Sequence, residues 1–166
     1  LAQGLSSVAA GSVAYLFADS LVTDSTVVST ISNVENVTLS GNGINYVVGS
    51  ATANIITIGT GDDYIDGGAG NDIILATTAA NVDTDDVFVG GTGTDAVHIT
   101  NLVDGASALV DDQVGIESIV IKDSTGDADI TLTITYTSDN TKALTIDATE
   151  LDSDEILTFI ATDAQV

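Results

Sequence analysis

The chain has 166 residues, a mass of 16.7 kDa and 25 Asp plus Glu against Lys122 and Lys142 alone, a formal net charge of -23. That length allows one ordinary domain or two small modules and excludes a large multidomain enzyme, while the charge disfavours nucleic acid and anionic membrane, both polyanions, as partners. Hydrophobic residues at 44% and a mean hydropathy of +0.37 exclude a charged disordered chain.

Aromatics make up only 4%, Pro, Met, Cys and Trp are absent, and Thr, Val and Ile are frequent. This composition fits many short strands with small polar outer faces, an all-β fold. Residues 1–39 read as an N-terminal β-rich segment with short apolar patches, VAYLF and TVVSTI, ending in VENVTL (34–39). Only Ala2 to Ala14 hints at a helical period. The run Val13 to Ala18 is too short and lacks the basic flank of a signal peptide, and nothing approaches the roughly 20 apolar residues of a spanning helix. A chain beginning at Leu1 rather than Met suggests a processed product or an excerpt.

Between Gly41 and Gly93 lie 11 of the 16 glycines, in a nine-residue repeat. In one register the units are SGNGINYVV (40–48), GSATANIIT (49–57), IGTGDDYID (58–66), GGAGNDIIL (67–75), an insertion at 76–80, NVDTDDVFV (81–89) and GGTGTDAVH (90–98). Position six is Asn45, Asn54, Asp63, Asp72, Asp86 and Asp95. Position eight is Val47, Ile56, Ile65, Ile74, Phe88 and Val97.

Residues 99–166 read as a C-terminal β-rich segment. IESIVI (116–121) echoes VENVTL across the repeats, and DADITLTITY (127–136) alternates Ile130, Leu132, Ile134 and Tyr136 with Thr, the pattern of a half-buried strand. KALTIDA (142–148) and EILTFIA (155–161) repeat that alternation.

The central units resemble the GGxGxDxUx nonapeptide of the RTX parallel β-roll, where U is a large apolar residue. GGAGNDIIL and GGTGTDAVH match every defined position, and IGTGDDYID misses one Gly. The resemblance implies a β-roll over 40–98 flanked by β-strand-rich segments, with two nonapeptides per coil of 18 residues and Ca²⁺ between vertically adjacent turns. Spacing agrees with that geometry. Asn45 and Asp63 are one coil apart, as are Asn54 and Asp72; Asp63 to Asp86 and Asp72 to Asp95 add the five inserted residues, which are expected to bulge out as one loop.

Stacked coils about 4.8 Å apart would bring carboxylates face to face, and a divalent cation would turn that repulsion into attraction. Ca²⁺ takes six to eight oxygens. The resemblance assigns Asp63, Asp72, Asp86 and Asp95 as side-chain ligands with carbonyls near Gly59, Gly61, Gly68, Gly70, Gly91 and Gly93. Asn45 and Asn54 offer neutral, weaker oxygens. Residues 58–98 hold eight Asp and no Lys, Arg or Glu. Without metal the thin column Ile56, Ile65, Ile74, Phe88 and Val97 is not expected to offset chain entropy of about 1–2 kcal/mol per residue, which couples folding to several Ca²⁺ ions. Asp62, Asp66, Asp83 and Asp85 read first as a solvated face and second as accessory ligands. Asp123, Asp127 and Asp129 could frame another calcium loop, whereas the acids from Asp147 to Glu155 read as a solvated turn.

His98, the single histidine, should point outward beside inward Val97. With no Cys, no Arg and no second His, neither a His-based triad nor an HExxH zinc site can be assembled, and no enzymatic activity is expected. The absence of Cys also removes disulfides as a staple outside the cell and leaves calcium in that role.

RTX repeats occur in secreted hydrolases, toxins, adhesins and surface-layer proteins of Gram-negative bacteria, usually exported by type I secretion. The Thr-rich flanks resemble those of surface-layer and filament proteins. The leading expectation is an extracellular, cell-surface structural protein that folds on Ca²⁺ and self-assembles, partnered by copies of itself and, as a further candidate, by cell-surface polysaccharide, with no nucleic acid and no membrane insertion. The alternatives are a spacer or ligand-binding module of a large adhesin and the secretion or folding tail of a hydrolase.

Overall fold

The structure, a computed structural model, describes residues 13–17, 27–28, 36–40, 44–102, 107–110, 113–122, 130–136, 143–151 and 155–163. They form a parallel β-solenoid, as the nonapeptide spacing predicts. One side is a seven-stranded sheet in the order β1 (Val13–Phe17), β3 (Asn36–Ser40), β5 (Ile55–Thr57), β7 (Ile73–Ala76), β9 (Ala96–Ile99), β12 (Ser118–Ile121) and β14 (Thr145–Asp147). The facing side runs β2 (Val27–Val28), β4 (Asn45–Val48), β6 (Asp63–Asp66), β8 (Val87–Val89) and β11 (Gln113–Val114). Every strand pair among the described residues is parallel, and in the central coils the connection between paired strands runs through a strand of the facing sheet.

Position eight points inward throughout. Val47, Ile65 and Phe88 stack in one column, and Ile56, Ile74, Val97 and Ile119 in the other, each no more than 1% exposed. The core is wider than these columns. Two residues further along the chain, Leu39, Ile58, Ala76, Ile99 and Ile121 also face inward on the seven-stranded side, because extended backbone that runs on past the position-eight residue presents a second inward position two residues later. Tyr46 and Tyr64, paired in register on the outer face, stack at 5.7 Å between ring centroids.

The insertion does not simply bulge. Ala79–Asn81 forms a 3₁₀ turn in which Ala79 and Asn81 are buried while Thr78 and Ala80 are exposed. Asn81 Oδ1 accepts from Thr78 N at 2.9 Å, and the turn packs against β10 (Ser107–Val110). The extra residues thus open a third side, which β10, β13 (Ile130–Tyr136) and β15 (Leu157–Asp163) occupy as a three-stranded sheet. Accordingly the coil lengthens, and Ser118 pairs with Thr145.

On the seven-stranded side β3 pairs with β5 and β9 with β12. Ile130, Leu132 and Ile134 are buried, as their alternation predicts. Val13 and Ala14 belong to β1, not to a helix; residues 2–12 lie outside the described part. Among the described residues no helix is long and apolar enough to cross a membrane.

Candidate functional site

The position-six residues lie at or just before the first residue of each strand and form two columns. Asn54, Asp72 and Asp95 make the first, and Asn45, Asp63 and Asp86 the second. All four Asp are buried, at 1–2% exposure. Rather than facing one another, the carboxylates reach the backbone of the coil before. Asn54 N donates to Asp72 Oδ1 at 2.7 Å, Asp72 N to Asp95 Oδ1 at 2.8 Å, and Asp63 N to Asp86 Oδ1 at 2.8 Å. The physical reason is that a buried N–H needs an acceptor, and a charge-assisted bond is the strong way to supply one.

Beyond this shared contact the columns differ. In the second, both oxygens of each acid are engaged: Asp63 accepts from Asn45 Nδ2 (2.6 Å) and Gly59 N (3.0 Å), and Asp86 Oδ2 accepts from Asp83 N at 3.0 Å. In the first, Asp72 Oδ2 is buried without a hydrogen-bond partner. It lies against Gly67, the first residue of its own unit. A Cβ on Gly67 would stand 2.6 Å from Asp72 Oδ2 and 2.8 Å from the Gly90 carbonyl oxygen of the next coil, so two acceptors converge on the space that glycine leaves open. The same arrangement recurs at Gly90, between Asp95 Oδ2 and the Gly115 carbonyl, and at Gly49, between Asn54 Oδ1 and the Gly67 carbonyl.

Burial pushes the Asp72 and Asp86 carboxyls up to about 6 and raises that of Asp63 as well. The bonds from Asn54 N to Asp72 and from Asp63 N to Asp86 oppose that rise without cancelling it. No Arg exists to compensate these charges, and Lys122 is 3.3 Å from Glu150. His98, half-buried on the outer side of β9, is held below its ordinary value by burial and by Lys122.

Glycines shape the turns. Gly68, Gly70, Gly91 and Gly93 have φ of 95°, 119°, 95° and 145°, conformations that disfavour a Cβ, and a Cβ on Gly93 would overlap the Gly70 carbonyl oxygen below it. Of the carbonyls singled out from the sequence, that of Gly68 accepts from Thr92 N at 3.0 Å and that of Gly59 accepts a short bond from Asn81 Nδ2. Gly61 is buried in the second column's turn. The carbonyls of Gly67, Gly90 and Gly115 approach the space beside Gly49, Gly67 and Gly90 that the position-six oxygens also approach.

Two residues of the site escaped the motif. Glu117 extends the first column: its Oε2 accepts from Asp95 N at 2.7 Å, directly before β12. The IESIVI echo was its signal, since Glu117 precedes Ser118 as Asp95 precedes Ala96, its register partner. Asn81 had no comparable signal. The surface acids Asp62, Asp83 and Asp85 bring carboxylate oxygens within 4.8 Å of one another. Asp123, Asp127, Asp129, Asp152 and Asp154 lie outside the described residues.

The chain matches no family model, and neither the curated proteins nor the solved structures compared with it match. The likeness to RTX proteins therefore rests on the nonapeptides and the coil geometry. The donor set fits calcium: it is all oxygen, it is anionic, and the Asp72 oxygen lies buried with a carbonyl beside it and no donor between. Asp72, Asp95 and the Gly90 and Gly115 carbonyls would hold the ion, which would supply the positive charge that the column lacks.

Proposed function

We propose that this is an RTX-type, calcium-dependent structural protein of the bacterial cell surface, exported before it folds, that self-assembles into a layer or filament. The observation that carries the reading is the burial of four Asp at 1–2% exposure in a chain without Arg. Acids are almost never fully buried unless paired, and each uncompensated charge costs several kcal/mol. Backbone donors offset part of that cost, and a divalent ion offsets the rest. Since extracellular modules bind Ca²⁺ at about 10⁻⁴–10⁻³ M, the stable state belongs outside the cell.

Self-association draws on β15. Phe159 continues the inward line of Leu132 on β15, yet it is 48% exposed where Leu132 is 0%, and among the described residues β15 is an edge strand of its sheet. Such an edge, with an apolar column open above it, suits pairing with another coil. The solenoid's continuity from β1 to β14 also favours a second reading, a rod-like spacer in an adhesin. Electron microscopy of the whole chain in millimolar calcium and in chelator separates them. An ordered lattice or filament that disperses in chelator supports assembly; single rods at high concentration in calcium support the spacer.

A further inference from the structure

Resting on the calcium reading, we propose that cations bind along only one of the two turn columns, that of Asp72 and Asp95, while the column of Asp63 and Asp86 is closed by the chain's own donors and takes no metal. The difference begins at position one of the nonapeptide. Units of the first column start with Gly49, Gly67 and Gly90; described units of the second start with Ile58 and Asn81.

Where position one is glycine, the position-six side-chain oxygen and the glycine carbonyl of the next coil approach the same open space. At Asp72 that leaves a fully buried carboxylate oxygen beside the Gly90 carbonyl with no hydrogen donor. A proton, a bridging water or a cation reconciles two acceptors placed in this way, and a buried anionic oxygen favours the cation. Where position one is Asn81, the amide performs that task. Asn81 Nδ2 donates to the carbonyls of Ile58 and Gly59, Gly59 N donates to Asp63 Oδ2, and Asn45 Nδ2 donates to Asp63 Oδ1. Asp83 N and Asp63 N saturate the two oxygens of Asp86. A cation entering there would have to break neutral and charge-assisted bonds already made, whereas at Asp72 it breaks none at Oδ2.

Isothermal titration of the whole chain with calcium at neutral pH tests this. Asp72→Asn is expected to weaken binding on the order of tenfold or more, and Asp63→Asn and Asp86→Asn by less than about twofold. Equal weakening in both columns, or weakening only by Asp63→Asn, overturns the assignment. So does loss of binding in a chain carrying Asp83→Asn and Asp85→Asn while Asp72→Asn binds normally, which would put the ion on the surface acids. If Asp72→Asn fails to fold, Asn81→Asp decides: by replacing the donor with an acid it should raise the number of ions bound per chain, and an unchanged number overturns the proposal. No binding by the unsubstituted chain at about 10 mM, above the range of extracellular modules, sinks the calcium reading itself, a result distinct from equal weakening.

Discussion

The backbone N–H of Asp72 donates to the carboxylate of Asp95, 23 residues later, at 2.8 Å. One acid thus serves as acceptor for the coil before it and as donor, through its own N–H, to the acid of the coil after it. This chain of contacts ties coil stacking to the ionisation of buried groups, and its consequences are measurable.

The first concerns pH in the absence of metal. Asp72 and Asp86 titrate near 6 in the folded chain and near 3.8 when unfolded. Between those values the folded state binds more protons, so stability is fully present below about 3.8 and is lost as pH rises through about 6. In chelator, the chain should therefore hold more β structure at pH 5 than at pH 7.5, read by far-UV circular dichroism. This is the reverse of a salt-bridged carboxylate. Less β structure at pH 5 than at pH 7.5 would remove the buried-acid argument.

Glu117 provides a second. Glu117→Ala takes the acceptor from Asp95 N and should cost about 1–2 kcal/mol, whereas Glu117→Gln keeps an acceptor oxygen and should change stability by less than about 0.5 kcal/mol. Urea unfolding compares the two. Equal losses would mean that Glu117 acts through charge or packing and not through this bond.

A third contrasts two phenylalanines. Phe88 is 0% exposed and Phe159 48%, so Phe88→Ala should cost about 3–5 kcal/mol, and Phe159→Asp little in the monomer. In calcium, however, Phe159→Asp should abolish assembly, read by light scattering. Assembly by that variant at the normal concentration would place the contact elsewhere.

How much of this was legible follows from where each signal resides. The period of nine and the coil spacing are local, so the solenoid, the inward column through Phe88 and the stacking of Asp63, Asp72, Asp86 and Asp95 in columns could be read directly. The inward column of Ile58, Ile99 and Ile121 was hidden because position one of the next unit is variable across the repeat, Gly in one column and Ile in the other. The third side was hidden because an insertion reads as a loop unless something packs on it, and β10 comes 26 residues after Asn81. Asn81 itself lies at a position where the motif asks for Gly, and its role depends on carbonyls of the previous coil at Ile58 and Gly59. Long-range partners of this kind leave no period.

Calcium titration of the whole chain at pH 7.5, followed by far-UV circular dichroism from chelator into several millimolar, bears on all of these at once. The buried Asp72 carboxylate, with an oxygen that no donor of the chain reaches, predicts a cooperative gain of β signal and a steep rise in thermal stability with calcium, poorly reproduced by magnesium, which demands a tighter octahedral shell and keeps its waters. A spectrum and a melting temperature that are the same in strong chelator and in saturating calcium would contradict the metal-dependent fold.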